Sequence, residues 1–238
     1  MKAHIYPDFL YKNLELYIPD SQGQGRVHKA NFNNEFFHYN KKGLPTGIYD
    51  TNILCQECDN YFNQEFENYS KIISFDKANG SKEKISDTGI ELGTYINIDY
   101  TKFKLFMLSI FWKASVSSKF QGIKLSVNDE ETLRLMFINK DAKEKEDFGI
   151  VLFHLNDPIL TSKILTDIKT VVTKDKTCHT FIAGGLIFYF YPNKNQLPNE
   201  HKKLLLTKDG ILKILQYPPG NSKRILNEFY ETQLFNII

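Results

Sequence analysis

The stretch Tyr100-Thr-Lys-Phe-Lys-Leu-Phe-Met-Leu-Ser-Ile-Phe-Trp-Lys-Ala114 carries apolar side chains round most of a helix circumference. A helix of that kind has no broad face to give to water, so it belongs at the centre of the fold, with Trp112 in its last turns. Asp129-Glu-Glu-Thr-Leu-Arg-Leu-Met-Phe137 follows as a second, amphipathic helix, its acidic residues at the start where the helix dipole favours them. The hydrophobic period then changes to two. Residues 148–155, 164–172 and 180–191, rich in branched and aromatic side chains, are expected as strands, and Gly184-Gly185 as a bulge or close approach within the last. The economical reading is an α+β fold: a mainly antiparallel sheet with a central buried helix.

The chain before this helix has a different texture. Up to about Ser74, Gly23, Gly25, Gly43, Pro45 and Gly47 punctuate short segments holding Phe32, Phe36, Phe37 and Tyr39, which predicts short hairpins. From Asp59 to Ile73 the pattern is helical, because Tyr61, Phe62, Phe66, Tyr69, Ile72 and Ile73 recur at three- and four-residue intervals. Residues 76–89 are polar and contain glycine, as a linker or loop would be. The expected organisation is therefore a small unit over 1–75, a linker or loop over 76–98 and a larger α+β domain over 99–238.

Composition narrows the function classes. A net charge of +2 over 238 residues gives no global positive field, so any nucleic-acid contact must come from a local patch. Three cysteines are no disulfide framework and fit a reducing compartment. The start Met1-Lys-Ala-His4 has no signal-peptide core and the apolar runs are too short to span a bilayer, which predicts a cytoplasmic protein with no membrane partner.

The chemistry-bearing residues lie in the first 70 positions. Cys55-Gln-Glu-Cys58 has metal-knuckle spacing at the mouth of the predicted helix, Asn52 precedes it by three residues, and His4 sits in a short apolar segment with Ile5 and Pro7. On the helix, Asp59, Asn63 and Glu67 at four-residue spacing share one face. The phrases Ala3-His-Ile-Tyr-Pro-Asp-Phe-Leu10, Asn52-Ile-Leu-Cys-Gln-Glu-Cys-Asp59 and Phe103-Lys-Leu-Phe-Met-Leu-Ser-Ile-Phe-Trp-Lys-Ala-Ser115 resemble a group of bacterial HNH-like proteins of the treble-clef, ββα-metal type. The resemblance covers about the first half of the chain, with the rest similar only by pattern.

What the resemblance implies is an endonuclease-related protein acting on DNA or RNA, in a bacterial antiviral-defence or mobile-element setting. His4 would be the general base that deprotonates water for attack on a phosphodiester. Asn52 would hold the histidine's loop, and Asp59 would be a functional polar residue after the knuckle. Asn63 and Glu67 extend the set as oxygen ligands to Mg²⁺ or Mn²⁺, and Cys55 and Cys58 would bind structural Zn²⁺, completed by His28 or His38. Fuller members of the group carry a first Cys-x-x-Cys ahead of the His element, and this sequence begins too late to hold one. Active HNH enzymes often place a metal-binding Asp before the motif His, where this chain has Ala3, and the usual helix His is absent too.

Other readings stay open beside this one. Asn52 also suits a turn, two buried thiols also pack, and Asp59, Asn63 and Glu67 also suit a solvated helix face. Lys102, Lys104 and Lys113 form either a basic edge or snorkelling lysines on the buried helix. A degenerate HNH scaffold that binds a protein partner or ligand, and a second domain that makes a homo-oligomer, are the rival functions.

Overall fold

The apolar helix Tyr100–Val116 is the centre round which other described elements pack. The computed structural model describes residues 2–13, 17–19, 25–27, 30–33, 36–39, 48–72, 80–85, 89–157, 165–173, 176–218, 220–221 and 224–225, with side chains between residues 11 and 47 outside that description. The first part contains β1 (Ala3–His4), α1 (Asp8–Asn13), β2 (Tyr17–Pro19), β3 (Gly25–Val27), β4 (Ala30–Asn33), β5 (Phe36–Tyr39) and β6 (Tyr49–Asp50). The expected hairpins are present as β2–β3 and β4–β5, while β1 reaches across them to pair antiparallel with β6. A continuous helical stretch follows: α2 (Gln56–Phe62), a π-helical segment Asn63–Glu67, and α3 (Asn68–Ile72).

Residues expected as linker enter the main sheet instead. β7 (Gly80–Lys84) and β8 (Glu91–Tyr95) pair antiparallel at one end of it. Leu92 and Tyr95 on β8 pack against apolar neighbours, and that anchors a stretch whose polar flank reads as a loop. Next come α4 (Tyr100–Val116), α5 (Val127–Asn139), β9 (Gly149–Leu155), β10 (Lys169–Thr173), β11 (Lys176–Ala183), β12 (Leu186–Tyr191), a 3₁₀ turn at Lys194–Gln196, α6 (Asn199–Lys202) and β13 (Leu212–Tyr217). The seven strands run in the order β10-β11-β12-β9-β13-β8-β7. All neighbours are antiparallel except β13 and β9, which are parallel with Leu215 opposite Phe153. The α+β class and the mainly antiparallel sheet stand as expected.

Gly184-Gly185 is a correction. Residues 180–191 are not one strand with a bulge but two strands turned on these glycines, with Ala183 opposite Leu186. Both glycines have positive φ, 59° and 78°, the conformation a two-residue hairpin turn demands and side chains resist.

Helix α4 starts where Asp99 accepts the Lys102 N–H at 2.9 Å, and its sides are buried through most of its length. Leu105, Leu108 and Phe111 share one core with Ile150, Leu152, Phe181, Phe188, Phe190 and Ile214, the side chains on one face of the sheet. Val151, Phe153, Leu155, Ile182 and Ile187 point the other way and are covered by Leu197, Leu204 and Leu205. Both faces of the central strands are therefore dry, which accounts for their near-continuous apolar runs. Ile5, Tyr6, Phe62 and Phe66 belong to the same core as α4, so packing is continuous across the expected boundary near residue 98.

Candidate functional site

The N-terminal strand is tied down before it contributes a side chain. Ile5 N–H donates to the Ile48 carbonyl at 3.0 Å and the Tyr6 hydroxyl to the Thr166 carbonyl at 2.9 Å, so the segment carrying His4 is fixed on both sides. His4 lies opposite Tyr49 in the β1–β6 pair, its half-buried ring edge-on to the tyrosine at 6.4 Å.

Asp50, the next residue on β6, is an anchor that the sequence did not announce. Its carboxylate is 2 % exposed and accepts from Ser117 Oγ at 2.8 Å, Ser118 N–H at 3.0 Å, Ser118 Oγ at 3.2 Å and Asn52 N–H at 3.1 Å. Burial alone would raise its pKa, but the hydrogen bonds from Ser117, Asn52 and Ser118 outweigh it and hold the group at about 2. Strand β6 is thereby fastened to the end of α4.

Asn52 occupies the turn that Asp50 opens. Its side chain is exposed, accepting only a long bond from Thr51 Oγ1 at 3.4 Å, and no hydrogen bond joins it to His4. The backbone of His4 is held by its pairing with Tyr49 on β6.

Cys55 is the N-cap of α2, with its sulfur accepting the Cys58 N–H at 3.4 Å, and both cysteines are exposed rather than packed. Hydrogen bonds from Cys58, first its N–H and then its thiol, push the Cys55 thiol pKa down. The bond to the Cys55 sulfur pushes the Cys58 pKa up.

Beyond the cap, the π turn changes which residues share a face. A regular α-helix would carry Asp59, Asn63 and Glu67 along one side. The π segment reaches one residue further per hydrogen bond, and its phase shift sends Glu67 inward beside Phe66 while Asn63 stays exposed, its Nδ2 donating to the Asp59 carbonyl at 3.1 Å.

Glu67 meets Lys113 of α4. Lys113 is 1 % exposed, Glu67 9 %, and Nζ donates to Oε1 at 2.9 Å beneath the Phe62 ring. This lysine was expected to snorkel or to form a basic edge, yet it is a buried partner for the π-turn carboxylate. Asp59 sits half-buried among these groups. Burial raises its pKa most, Lys113 opposes, the Glu67 carboxylate raises it further and His4 opposes. His4, Asp59, Glu67 and Lys113 therefore form one electrostatic cluster drawn from β1, α2, the π turn and α4.

The helix is held over the cluster by long-range contacts. The Tyr61 hydroxyl donates to the Phe137 carbonyl at 2.7 Å, Lys140 pairs with Glu65 at 2.7 Å, and Phe62 stacks on Trp112 at 6.0 Å. A separate cleft of about 780 Å³ opens beside the start of α4, lined by Asp99, Lys140, Asp141, Lys143, Lys208 and Asp209 among others. It holds none of the clustered residues, and its three lysines are paired with Glu65, Asp141 and Glu144.

The donor sets expected for metals do not converge among the described residues, where no three His, Cys, Asp or Glu side chains form a metal-holding group. Of the Mg²⁺ set, Asn63 faces water and Glu67 is committed to Lys113. Of the Zn²⁺ set, Cys55 and Cys58 supply two donors, and the side chains of His28 and His38 lie outside the described residues. Among the described residues no helix is long and apolar enough to cross a membrane. Comparison with protein-family models, curated proteins and solved structures found no significant match.

Proposed function

We propose that this chain is an HNH-like protein acting on the phosphodiester backbone of DNA or RNA, in the cytoplasm, with His4 as general base and Asp59 as its charge partner. The observation that carries the reading is that β1 and α2, distant in sequence, bring His4 and Asp59 within each other's field beside the ordered Asp50 turn. A neutral imidazole near the protein surface can take a proton from the attacking water. The Asp59 carboxylate, whose charge Lys113 favours against burial, would stabilise the imidazolium that results. Lys113 is too deeply buried to touch a phosphate, so its part is to hold Glu67 and the local charge balance.

The test is cleavage of labelled DNA and RNA in Mg²⁺, Mn²⁺ and chelator buffers, comparing wild type with His4→Ala and Asp59→Asn. His4→Ala should lower the rate by roughly 10²–10⁴-fold and leave substrate binding nearly intact. Equal rates for wild type and His4→Ala would remove His4 from the chemistry.

A second reading has its own support. Ala3, fully buried where an active HNH enzyme often has a metal-binding Asp, and Glu67, spent on an internal ion pair, both suit a scaffold derived from a nuclease. The α5 helix leaves Val127, Leu135 and Ile138 exposed at 80 %, 44 % and 56 % on one side, as a protein-partner or homo-oligomer surface would be. Nucleic-acid binding without cleavage under all three buffers would favour it.

A further inference from the structure

Cys55 and Cys58 are the most accessible reactive groups near the cluster, and neither the phosphodiester reading nor the core uses their sulfur. They are three residues apart across the first turn of a helical stretch that runs without a break from Gln56 to Ile72. Cys55 has extended backbone, φ −78° and ψ 171°, which folds its side chain back over the turn until the sulfur accepts the Cys58 N–H at 3.4 Å. Both side chains face solvent, whereas Cys178, the remaining cysteine, is buried. No third His, Cys, Asp or Glu joins the pair among the described residues.

We propose that Cys55 and Cys58 are a reversible dithiol–disulfide site, oxidised by a low-molecular-weight disulfide of the glutathione class. The Cys55 thiolate attacks one sulfur of the small disulfide, making a mixed disulfide and expelling one glutathione thiolate. The Cys58 thiolate then attacks the Cys55 sulfur, forming the internal S–S bond and expelling the second. The two cysteine protons end on the two released thiols, so the protein loses two electrons and two protons and the small disulfide gains them. The consequence reaches the neighbouring cluster, because Asp59 directly follows Cys58 and its N–H donates to the Cys55 carbonyl at 3.0 Å. Closing the bridge fixes the turn from which Asp59 projects.

The experiment equilibrates the full chain in buffers of graded reduced-to-oxidised glutathione, blocks free thiols by alkylation and reads the products by mass spectrometry of peptides. The expected result is loss of two hydrogens in the peptide holding Cys55 and Cys58, with one two-electron midpoint and Cys178 alkylated only after unfolding. Cys58→Ser should stop at the intermediate and retain one glutathione on Cys55. Circular dichroism of each variant checks that the fold is kept. The proposal is overturned if both thiols remain free in excess oxidised glutathione. It is equally overturned if the purified chain carries zinc on these sulfurs and they oxidise only after chelation. Neither outcome depends on whether the chain cleaves nucleic acid.

Discussion

Replacing Lys113 by methionine removes a charge from a place that water does not reach. The side chains of Lys113 and Glu67 are 1 % and 11 % exposed, their contact is 2.9 Å, and the Phe62 ring lies 6.0 Å from the ammonium. Methionine keeps most of the packed volume of the lysine stem, so the cavity contribution is small and the loss comes from the Glu67 carboxylate left buried without its partner. Breaking one side of such a pair costs about 3–5 kcal/mol, whereas replacing both partners by apolar groups of similar size is often neutral or stabilising. The single variant Lys113→Met should therefore fall by about 3–5 kcal/mol in urea unfolding followed by circular dichroism, with the slope unchanged. For a domain of this size that corresponds to a fall in melting temperature on the order of 10 °C. The double variant Lys113→Met with Glu67→Leu should recover most of the loss, giving a large favourable coupling in the cycle. Added salt should change these differences little, because a pair screened by protein is poorly screened by ions. A loss under about 1 kcal/mol in the single variant, or a double variant as unstable as the two singles summed, would refute the description of Glu67 and Lys113 as a dry pair.

Two further expectations concern pH. Asp50 is held at about 2 in the fold against an ordinary carboxylate value of 3.8, so its stabilisation is complete above about pH 4 and lost as pH falls through 2. Asp50→Asn should cost about 2 kcal/mol at pH 7, and the cost should vanish below pH 2 in urea titrations. His179 is pushed by burial to about 4 from 6.5, so stability is full above pH 6.5 and falls by about 3 kcal/mol as pH drops to 4. Thr170 gives its hydroxyl proton to the Gly122 carbonyl at 3.0 Å, so its oxygen accepts from His179 Nδ1–H at 2.9 Å. His179→Gln preserves a donor there and should flatten the unfolding free energy between pH 6.5 and 4. An unchanged acid slope would mean that this histidine takes up its proton without unfolding.

The parts of the fold legible in the sequence are those fixed by local pattern. Apolar residues round all of α4 placed it at the centre, and Cys55 with the aromatic spacing after Asp59 located α2 and α3 to within a few residues. What stayed hidden depends on distant partners. β13 contains Lys213 and Gln216 among its apolar residues and is made a strand by β8 on one side and β9 on the other. The Gly184-Gly185 turn and a bulge use the same two residues, and register alone decides between them. At the site, His4 and Asp59 were named from their neighbours in the sequence, and β1 and α2 carry them. Glu67 kept its place in the cluster but lost its expected face, because a π turn leaves no mark in residue spacing. Lys113 looked like other lysines on an apolar helix, and only Glu67 on another helix tells it apart. Asp50 had no signal, since the three Ser117 and Ser118 groups that hold it are reached only after α4 is packed.

The parallel pairing of β13 with β9 also governs the order in which the chain can assemble. β7 and β8 form a local hairpin, and β9 through β12 contain two more hairpin pairs, so each half of the sheet can zip on its own soon after it leaves the ribosome. The strand that joins them, Leu212–Tyr217, is synthesised after both. For on the order of 10 s of translation, β8 and β9 each present a bare hydrogen-bonding edge and the apolar side of α4 has only part of its cover. The nascent chain is then a natural client for holding chaperones, and truncation before Leu212 should yield aggregated protein rather than a smaller soluble fold.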